Sequence, residues 1–265
     1  MINAFLFNWT LNEFKVFLLV LLRIASLLFM MPVFSGRAVP NTIKALMAMV
    51  LALMLTPMVP FKASEFPSQP LALIILVVSE VFIGASLALI MQLIFVGVQI
   101  AGQMIGFQMG FSVASVMDPN TGVQSVLMAQ LSYLIALMIF LAINGHYYFI
   151  KVLFESYKIL PPGHFVATST LYDIVMQCAE KMFILGVKLM APVMTVLLLA
   201  QVALGILAKT VPQVNLLIIS FSLTIGLGLF FLGLTMQFFW PVFEKDLVMA
   251  LRWLPVALKS MAVSP

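Results

Sequence analysis

The sequence predicts an all-α membrane protein built from about six long hydrophobic helical runs that form helical hairpins. Of its 265 residues, 64% are apolar and only 8% are charged, whereas a soluble domain carries about 25% charged residues. The mean hydropathy of +1.20 is correspondingly high. Because the surface of a dissolved globule needs charged side chains, this composition excludes soluble enzymes, soluble nucleic-acid-binding proteins and disordered chains.

Six apolar runs predict helices, because about 20 apolar residues in a helix cross a bilayer. They cover residues 14–33, 43–60, 71–106, 125–150, 171–209 and 214–240. The third and fifth runs are too long for one crossing, since about 36 helical residues extend roughly 54 Å against a hydrocarbon core of about 30 Å. We expect these two helices to leave the membrane and to be buried against other protein. Residues 241–265 mix charged and apolar side chains and predict an interfacial tail.

The ionisable residues indicate no nucleic-acid, catalytic or metal site. The chain has 13 Lys and Arg residues and a net charge of +4, but these cations are scattered singly and form no phosphate-binding patch. The single cysteine, Cys178, excludes an internal disulfide and any multi-cysteine metal site. The sequence has no phosphate-binding glycine loop and no Ser-His-Asp set in a suitable context. We therefore expect no enzymatic activity, no cofactor, no metal and no nucleic-acid partner.

Two charges lie inside apolar runs, Arg23 in the first and Glu80 in the third. Each is about nine residues into its run, which is roughly 13–14 Å deep at the helical rise. If the second run returns through the membrane, the two charges lie at matched depth and can pair. Alternatively, Glu80 is a proton-relay carboxylate, because intramembrane charge often marks a transport pathway. That alternative predicts a small-solute secondary transporter that uses Glu80 and Arg23.

A break between residues 107 and 124 interrupts the apolar runs. Asp and Asn bond their own backbone, Pro fixes φ and Gly permits positive φ, so the sequence 118–122 predicts a turn. Four large apolar side chains surround this turn: Phe107, Met109, Phe111 and Met117. The segment is too apolar for an ordinary solvent-exposed loop, and flexible methionines can fill a gap yet yield to a passing chain.

Gly102, Gly106 and Gly110 repeat at every fourth position and so lie on one helical stripe. Such a stripe lets another backbone approach closely, which favours tight helix packing. Next to the apolar break, the same stripe also favours a smooth hinge beside a pore. Both interpretations remain open from the sequence.

The stretch 109–122, MGFSVASVMDPNTG, resembles the R subunit of the flagellar type III protein-export gate, the FliR family. Other segments match the family in order: Arg23-Ile24-Ala25, Met31-Pro32-Val33-Phe34, Val39-Pro40, Asn144-Gly145-His146 and Pro161-Pro162-Gly163. The resemblance covers nearly the whole chain. Its longest stretch favours the flagellar branch of the family over the virulence-injectisome branch.

The resemblance implies a channel subunit that passes unfolded flagellar proteins across the bacterial inner membrane, within the flagellar basal body. One R subunit is expected to assemble with several copies of the P and Q subunits, and with the B switch subunit of the export apparatus. Residues 1–170 correspond to a P-like half and 171–240 to a Q-like hairpin, followed by the tail 241–265. The gate itself would be non-enzymatic. A membrane scaffold without a pathway of its own is a third alternative.

The segment 106–122 corresponds to the plug loop of this family, whose apolar side chains would close the pore at rest. The residues expected to seal or gate the pore are Gly106, Phe107, Met109, Gly110, Phe111, Met117, Asp118, Pro119, Asn120 and Gly122. Its glycines would let the segment swing aside for a passing polypeptide.

The loop charges and the resemblance imply opposite membrane orientations. Three cations lie on the side of the loops 34–44, 103–124 and 208–213, and six lie on the other side. The positive-inside rule places the six in the cytoplasm, whereas the resemblance places Lys209 there. We follow the resemblance, because a subunit built into a protein assembly need not obey a rule for lipid-exposed spans.

Overall fold

A computed structural model describes residues 2–35, 39–59, 61, 66–67, 69–111, 124–210 and 216–262 of the chain. The helices are α1 (Ile2–Met30), α2 (Pro32–Ser35), α3 (Asn41–Leu55), α4 (Pro70–Gln108), α5 (Gln124–Ala142), α6 (Gly145–Ile159), α7 (Ser169–Thr210) and α8 (Leu216–Met261). A 3₁₀ turn, Thr56–Met58, follows α3. Within these described residues the only strand-like pairing is an isolated bridge between Phe165 and Ala262.

The predicted class, an all-α membrane protein, is confirmed. Among the described residues, four helical segments are long and apolar enough to cross a bilayer: 41–58, α4, α7 and α8. The pair α5 and α6 passes the same test together and counts as a fifth if the pair is one broken span.

Three helices are about twice as long as one membrane crossing requires. Helix α4 has 39 residues, α7 has 42 and α8 has 46, which corresponds to roughly 58, 63 and 69 Å. The sequence predicts the first two of these lengths. The third differs, because α8 continues through Pro241, and the predicted tail 241–265 is not a separate segment up to Met261.

The continuation of α8 has a packing reason. Phe243, Leu247, Ala250 and Leu254 recur at helical spacing and are fully buried. A proline inside a helix costs one backbone hydrogen bond, and the burial of this apolar stripe offsets that cost. Composition alone could not reveal this, since Lys245, Arg252 and Lys259 occupy exposed positions between the buried ones and suggested an interfacial tail.

The run predicted over 125–150 is divided into two helices, α5 and α6. Asn144 lies between them in the left-handed conformation, with φ of 57°. Its carbonyl accepts from the N–H groups of Tyr147 and Tyr148 at 3.0 and 3.3 Å and so starts α6. Asn tolerates this backbone conformation better than most residues, so the Asn144-Gly145 pair breaks the helix without a proline.

The chain forms two compact units. The first comprises Met1–Gln92, Asn144–Cys178 and Met249–Pro265, and the second comprises Leu93–Ile143 and Ala179–Val248. Helices α4, α7 and α8 each contribute residues to both units. The division into a P-like half and a Q-like hairpin stays a prediction.

In the first unit, α1 packs against α3 and α4. Helix α3 buries one residue per turn, Lys44, Ala48, Ala52 and Leu55. Gly84 of α4 allows close approach to α1, since a Cβ there would meet the Ser26 hydroxyl and the Arg23 carbonyl. Most other apolar residues of α3 are exposed, as expected of a helix that faces lipid or partner protein.

In the second unit, the core forms around the buried ring of Phe95 on α4. Its centroid lies 5.8 Å from Tyr133, 5.7 Å from Phe140 and 5.6 Å from Phe243, in edge-to-face geometry. Such ring pairs add stability beyond their buried area. One aromatic side chain therefore ties α4 to α5 and α8.

Candidate functional site

The end of α4 carries the first part of the segment predicted to close a pore. Gly106, Phe107 and Gln108 are its last helical residues, and the N–H of Met109 still donates to the carbonyl of Ile105 at 2.9 Å. Residues 112–123 lie outside the described part of the chain. Five of the predicted gating residues therefore lie outside the described residues: Met117, Asp118, Pro119, Asn120 and Gly122.

Gly110 ends this helix in a left-handed conformation. Its φ is +93°, and its N–H donates to the carbonyl of Phe107 at 3.1 Å. A residue with a Cβ disfavours this backbone, and a Cβ here would lie 2.7 Å from Cδ1 of Phe221. The position therefore requires glycine. Gly106, by contrast, lies inside the helix and is buried.

Met109 is fully buried in the core of the second unit. It packs in a cluster with Ile105, Val193, Leu197 and Leu232. Gly228 of α8 makes room for it, since a Cβ at Gly228 would lie 2.6–2.8 Å from the Met109 side chain. From the sequence, Met109 is expected to seal the pore; the structure places it in this cluster because α7 and α8 supply apolar surface at the last turn of α4.

Two polar side chains hold the same turn from α7 and α8. The Thr224 hydroxyl, which has one hydrogen, lies within hydrogen-bond distance of three carbonyl oxygens: Ser220 at 2.8 Å and Phe221 at 3.3 Å in its own helix, and Met109 at 3.0 Å at the end of α4. Gln108 donates through Nε2 to Oε1 of Gln201 at 2.9 Å, and Gln201 Nε2 donates to the Gln108 carbonyl at 3.1 Å. The last carbonyls of a helix have no partner within it, so these bonds satisfy two of them.

The two described phenylalanines of the segment lie in different environments. Phe107 is 62% exposed, whereas Phe111 is partly buried against the Met109 cluster. Of the apolar gating residues that the structure describes, Phe107 alone extends mostly outside the core of the unit. A large exposed apolar side chain is available to contact a partner or a passing chain.

The glycines of α4 serve helix packing, and the sequence identified only some of them. A Cβ at Gly102 would lie 2.5 Å from the carbonyl oxygen of Met128 on α5. A Cβ at Gly97 would lie 2.6 Å from the carbonyl oxygen of Met182, and one at Gly186 would lie 3.2 Å from the Gly97 carbonyl. The α4–α7 crossing at Gly97 and Gly186 was missed, because neither glycine has another glycine three or four residues away on its own helix.

Arg23 and Glu80 form a doubly hydrogen-bonded ion pair in the first unit. Arg23 donates through Nε to Oε2 of Glu80 at 2.7 Å and through Nη2 to Oε1 at 3.0 Å. Both side chains are fully buried. This two-bond geometry is the strongest that a guanidinium and a carboxylate form.

The third nitrogen of the Arg23 guanidinium, Nη1, donates to residues at the end of α6. Nη1 donates to the Leu160 carbonyl at 3.0 Å and to the Ser156 hydroxyl at 3.3 Å. The guanidinium also lies 4.5 Å from the ring centroid of Tyr157, whose hydroxyl donates to the Val20 carbonyl at 3.1 Å. Sequence reasoning missed these α6 partners, because Ser156, Tyr157 and Leu160 lie more than 130 residues from Arg23 along the chain and no local pattern links them to it.

No group of three His, Cys, Asp or Glu side chains that could hold a metal ion occurs among the described residues. Within the part of the chain that the structure describes, the polar features at predicted site residues are the Arg23–Glu80 network and the hydrogen bonds at the end of α4.

Residues 14–249 match the model of a family described as bacterial export proteins, family 1. The chain is 32% identical over 224 residues to the flagellar biosynthetic protein FliR of Escherichia coli K12, covering 84% of this chain and 85% of that protein. The chain belongs to the FliR family. A FliR protein of Bacillus subtilis 168 is 31% identical over 261 residues, which cover 97% of this chain and all of that protein.

Membership in the FliR family confirms the resemblance drawn from residues 109–122. A third FliR relative, from Pectobacterium carotovorum, is 31% identical over 237 residues, or 89% of this chain. The family match includes Arg23, Glu80 and the whole end of α4, and it stops at residue 249, within α8. Both polar features therefore lie inside the region that defines the family.

Proposed function

We propose that this chain is a non-enzymatic channel subunit of a bacterial flagellar protein-export gate, which passes unfolded flagellar proteins across the inner membrane. The observation that carries the proposal is FliR-family membership over residues 14–249. Relatives named flagellar biosynthetic proteins match most of their own length. The all-α fold with several helices long enough to span a membrane supports a multi-pass location.

The proposed partners are the P and Q gate subunits, with a single copy of this chain, together with the B switch subunit. Support comes from the exposed apolar surface of helices that exceed one bilayer crossing. Leu198, Val202 and Ile206 on α7 and Phe230 and Phe238 on α8 are each more than half exposed. Apolar surface beyond the bilayer needs a protein partner to cover it.

The segment 106–122 is the proposed closure of the channel at rest. Irregular backbone at membrane depth persists where it is buried in protein or lines a cavity. The fixed turn at Gln108, Met109 and Gly110 supports this role, because it directs the chain out of α4 at a defined place.

A leakage measurement tests the closure. Deleting residues 110–120, or replacing Phe107 and Phe111 with Ser, is expected to leave the complex assembled but permeable to ions and small solutes. Tyr147→Ser provides a control, because this aromatic side chain is similarly exposed, at 68% against 62% for Phe107, but lies on α6. The measurement is conductance or dye uptake in cells that carry the assembled complex, and an intact, tight complex after the deletion would contradict the closure.

A strain that lacks its own FliR-family subunit tests the function as a whole. Expression of this chain is expected to restore motility and the release of unfolded flagellar protein to the medium. Restored assembly without any export would contradict the channel role.

The alternative, a small-solute transporter, finds little support at Glu80. Both of its carboxylate oxygens accept from Arg23, and the pair is fully buried. A proton-relay carboxylate needs access to water, and this geometry favours a structural ion pair instead. Solute uptake by the purified chain that is lost in Glu80→Gln would favour the transporter.

A further inference from the structure

The outer face of helix α6 combines charged and aromatic side chains. Tyr147 is 68% exposed, and the side chains of Lys151 and Glu155 are 59% and 43% exposed. Lys158 is exposed as well. Because these four residues follow one another three or four positions apart, they form one stripe along the helix. Tyr148, which is 36% exposed, borders this stripe.

The opposite face of α6 is fixed to α1 by buried hydrogen bonds. The Tyr157 hydroxyl donates to the Val20 carbonyl at 3.1 Å. Arg23 donates to the Ser156 hydroxyl at 3.3 Å and to the Leu160 carbonyl at 3.0 Å. Rotation of α6 about its own axis would break these bonds and leave buried polar groups without partners. The outer stripe of α6 therefore faces away from the core of the first unit in a fixed direction.

The end of α6 lies beside the end of a segment that is long and apolar enough to cross a membrane. Met58 is the last residue of that segment, 41–58, and it lines one small cavity together with Val59, Glu155 and Lys158. Helix α6 is too short to cross a bilayer by itself, since its 15 residues extend about 22 Å against a hydrocarbon core of about 30 Å. Lys158 is therefore placed at the boundary between the hydrocarbon and the lipid headgroups.

Phosphate-bearing headgroups match this stripe chemically. A lysine at a membrane boundary extends its ammonium group to the phosphates, and tyrosine is enriched at the same depth. Lys158 has no ion-pair partner among the described residues, and the contact of 4.0 Å between the exposed side chains of Lys151 and Glu155 contributes little. Both ammonium groups are therefore available to bind an anion. Lipid tails or an apolar protein surface would leave these charges without an acceptor.

We infer that the outer face of α6 is a binding surface for anionic lipid, on which Lys151 and Lys158 hold headgroup phosphates and Tyr147 and Tyr148 lie at the same boundary. The inference uses the multi-pass membrane location of the chain and does not depend on the channel role. Lys151 and Lys158 are two of the six loop cations whose side of the membrane conflicts with the positive-inside rule in the orientation that the family resemblance implies. Binding to anionic headgroups gives these two cations a function on that side.

Lipid binding by the assembled complex tests the inference. The complex in detergent is titrated with phosphatidylglycerol or with phosphatidylcholine, and native mass spectrometry counts the bound lipid. Lys151→Gln combined with Lys158→Gln is expected to weaken phosphatidylglycerol binding at this surface about thirtyfold, since each lysine near an anionic lipid surface contributes a factor of about five. Lys151→Arg combined with Lys158→Arg keeps both charges and is expected to bind like the natural chain. Binding of the zwitterionic phosphatidylcholine should not change in either variant.

Lys188→Gln combined with Lys245→Gln is the matched control. Both of these lysines are exposed and lie on other helices, α7 and α8, so the control changes the net charge by the same amount. Its phosphatidylglycerol binding is expected to equal that of the natural chain. Undiminished binding in the α6 variant, or an equal loss in the control, would overturn the inference.

Photo-cross-linking at position 147 distinguishes lipid from a protein partner. A benzophenone amino acid in place of Tyr147, in cells that carry the complex, is expected to give an adduct with the mass of a phospholipid. An adduct with another polypeptide would assign α6 to a protein interface and overturn the lipid assignment. Loss of the lipid assignment together with restored motility would refute this inference and leave the proposed function standing.

Discussion

At the scale of single residues, Arg23 joins three helices through one guanidinium group. It bonds to Glu80 on α4 and to Ser156 and Leu160 at the end of α6, while it belongs to α1 itself. A buried charge is costly unless it is paired and hydrogen-bonded, and here every nitrogen has an acceptor. The sequence predicted the pair with Glu80 as one alternative, and the α6 partners add a second attachment.

Removing one partner of this ion pair should lower the stability more than removing both partners together. Arg23→Met or Glu80→Met leaves one buried charge unpaired and is expected to lower the free energy of unfolding by about 3–5 kcal/mol. The double change should cost less than either single change, although the Leu160 carbonyl then loses its donor. Thermal unfolding of the purified complex measures this, and equal losses in all three variants would contradict the coupling.

Asp246 on α8 presents the opposite situation. Its side chain is 5% exposed, and its Oδ2 has no hydrogen-bond partner among the described residues. Since an unpaired buried carboxylate is unfavourable, the neutral and isosteric Asp246→Asn should not lower the melting temperature. Phe243→Ala, one turn away, is the comparison and should cost about 3–5 kcal/mol. A marked loss in Asp246→Asn would indicate a cationic partner.

At the scale of helices, the crossing of α4 and α7 depends on two glycines. Gly97 and Gly186 allow the helix backbones to come into contact. A Cβ at position 97 would lie only 2.6 Å from the Met182 carbonyl oxygen. Backbone atoms cannot move aside as a flexible side chain can, so this crossing tolerates little added volume. It fixes α7 relative to the end of α4.

Gly97→Ala should therefore separate the two helices. We expect a loss of about 1–3 kcal/mol in the free energy of unfolding. Gly205→Ala on α7 has open space around its Cβ and should be neutral or stabilising by up to about 1 kcal/mol, because alanine is the better helix former. Denaturant unfolding in detergent compares the two variants, and similar effects would contradict the close crossing.

At the scale of the whole molecule, the described surface carries many large, exposed hydrophobic side chains. Large hydrophobic side chains are exposed on α3, α4, α7 and α8, such as Met54 at 65% and Leu71 at 69%. Helices of 39 to 46 residues carry this surface farther than one bilayer reaches. Lipid can cover part of it, and protein partners are needed for the rest.

The isolated chain is therefore expected to be unstable without its partners. Purified alone in detergent, it should aggregate or unfold on mild heating, whereas co-expression with the smaller all-helical gate subunits should give one stable complex. Size-exclusion chromatography and the mass of the intact complex measure this. A monodisperse, heat-stable monomer would contradict the need for partners.

Much of the architecture could be predicted from the sequence, because the hydrophobicity of a helix depends only on the residues of its own stretch of chain. The class and the long helices α4 and α7 follow from runs such as 71–106, and the family follows from 109–122. Where helices end is harder to predict. Asn144 breaks an apolar run through its left-handed backbone, without a proline, whereas α8 continues through Pro241 because residues distant in sequence pack against Phe243.

The candidate site divides in the same way. The sequence by itself determined that 106–122 interrupts the apolar runs and that Arg23 and Glu80 are charges inside apolar runs, since both properties are local. Only the tertiary structure decided that Met109 is buried while Phe107 is exposed, and that Thr224 and Gln201 hold the turn between them. The reason is physical: a side chain's environment depends on which other helices reach it, and α7 and α8 approach the end of α4 from about 90 to 115 residues away along the chain.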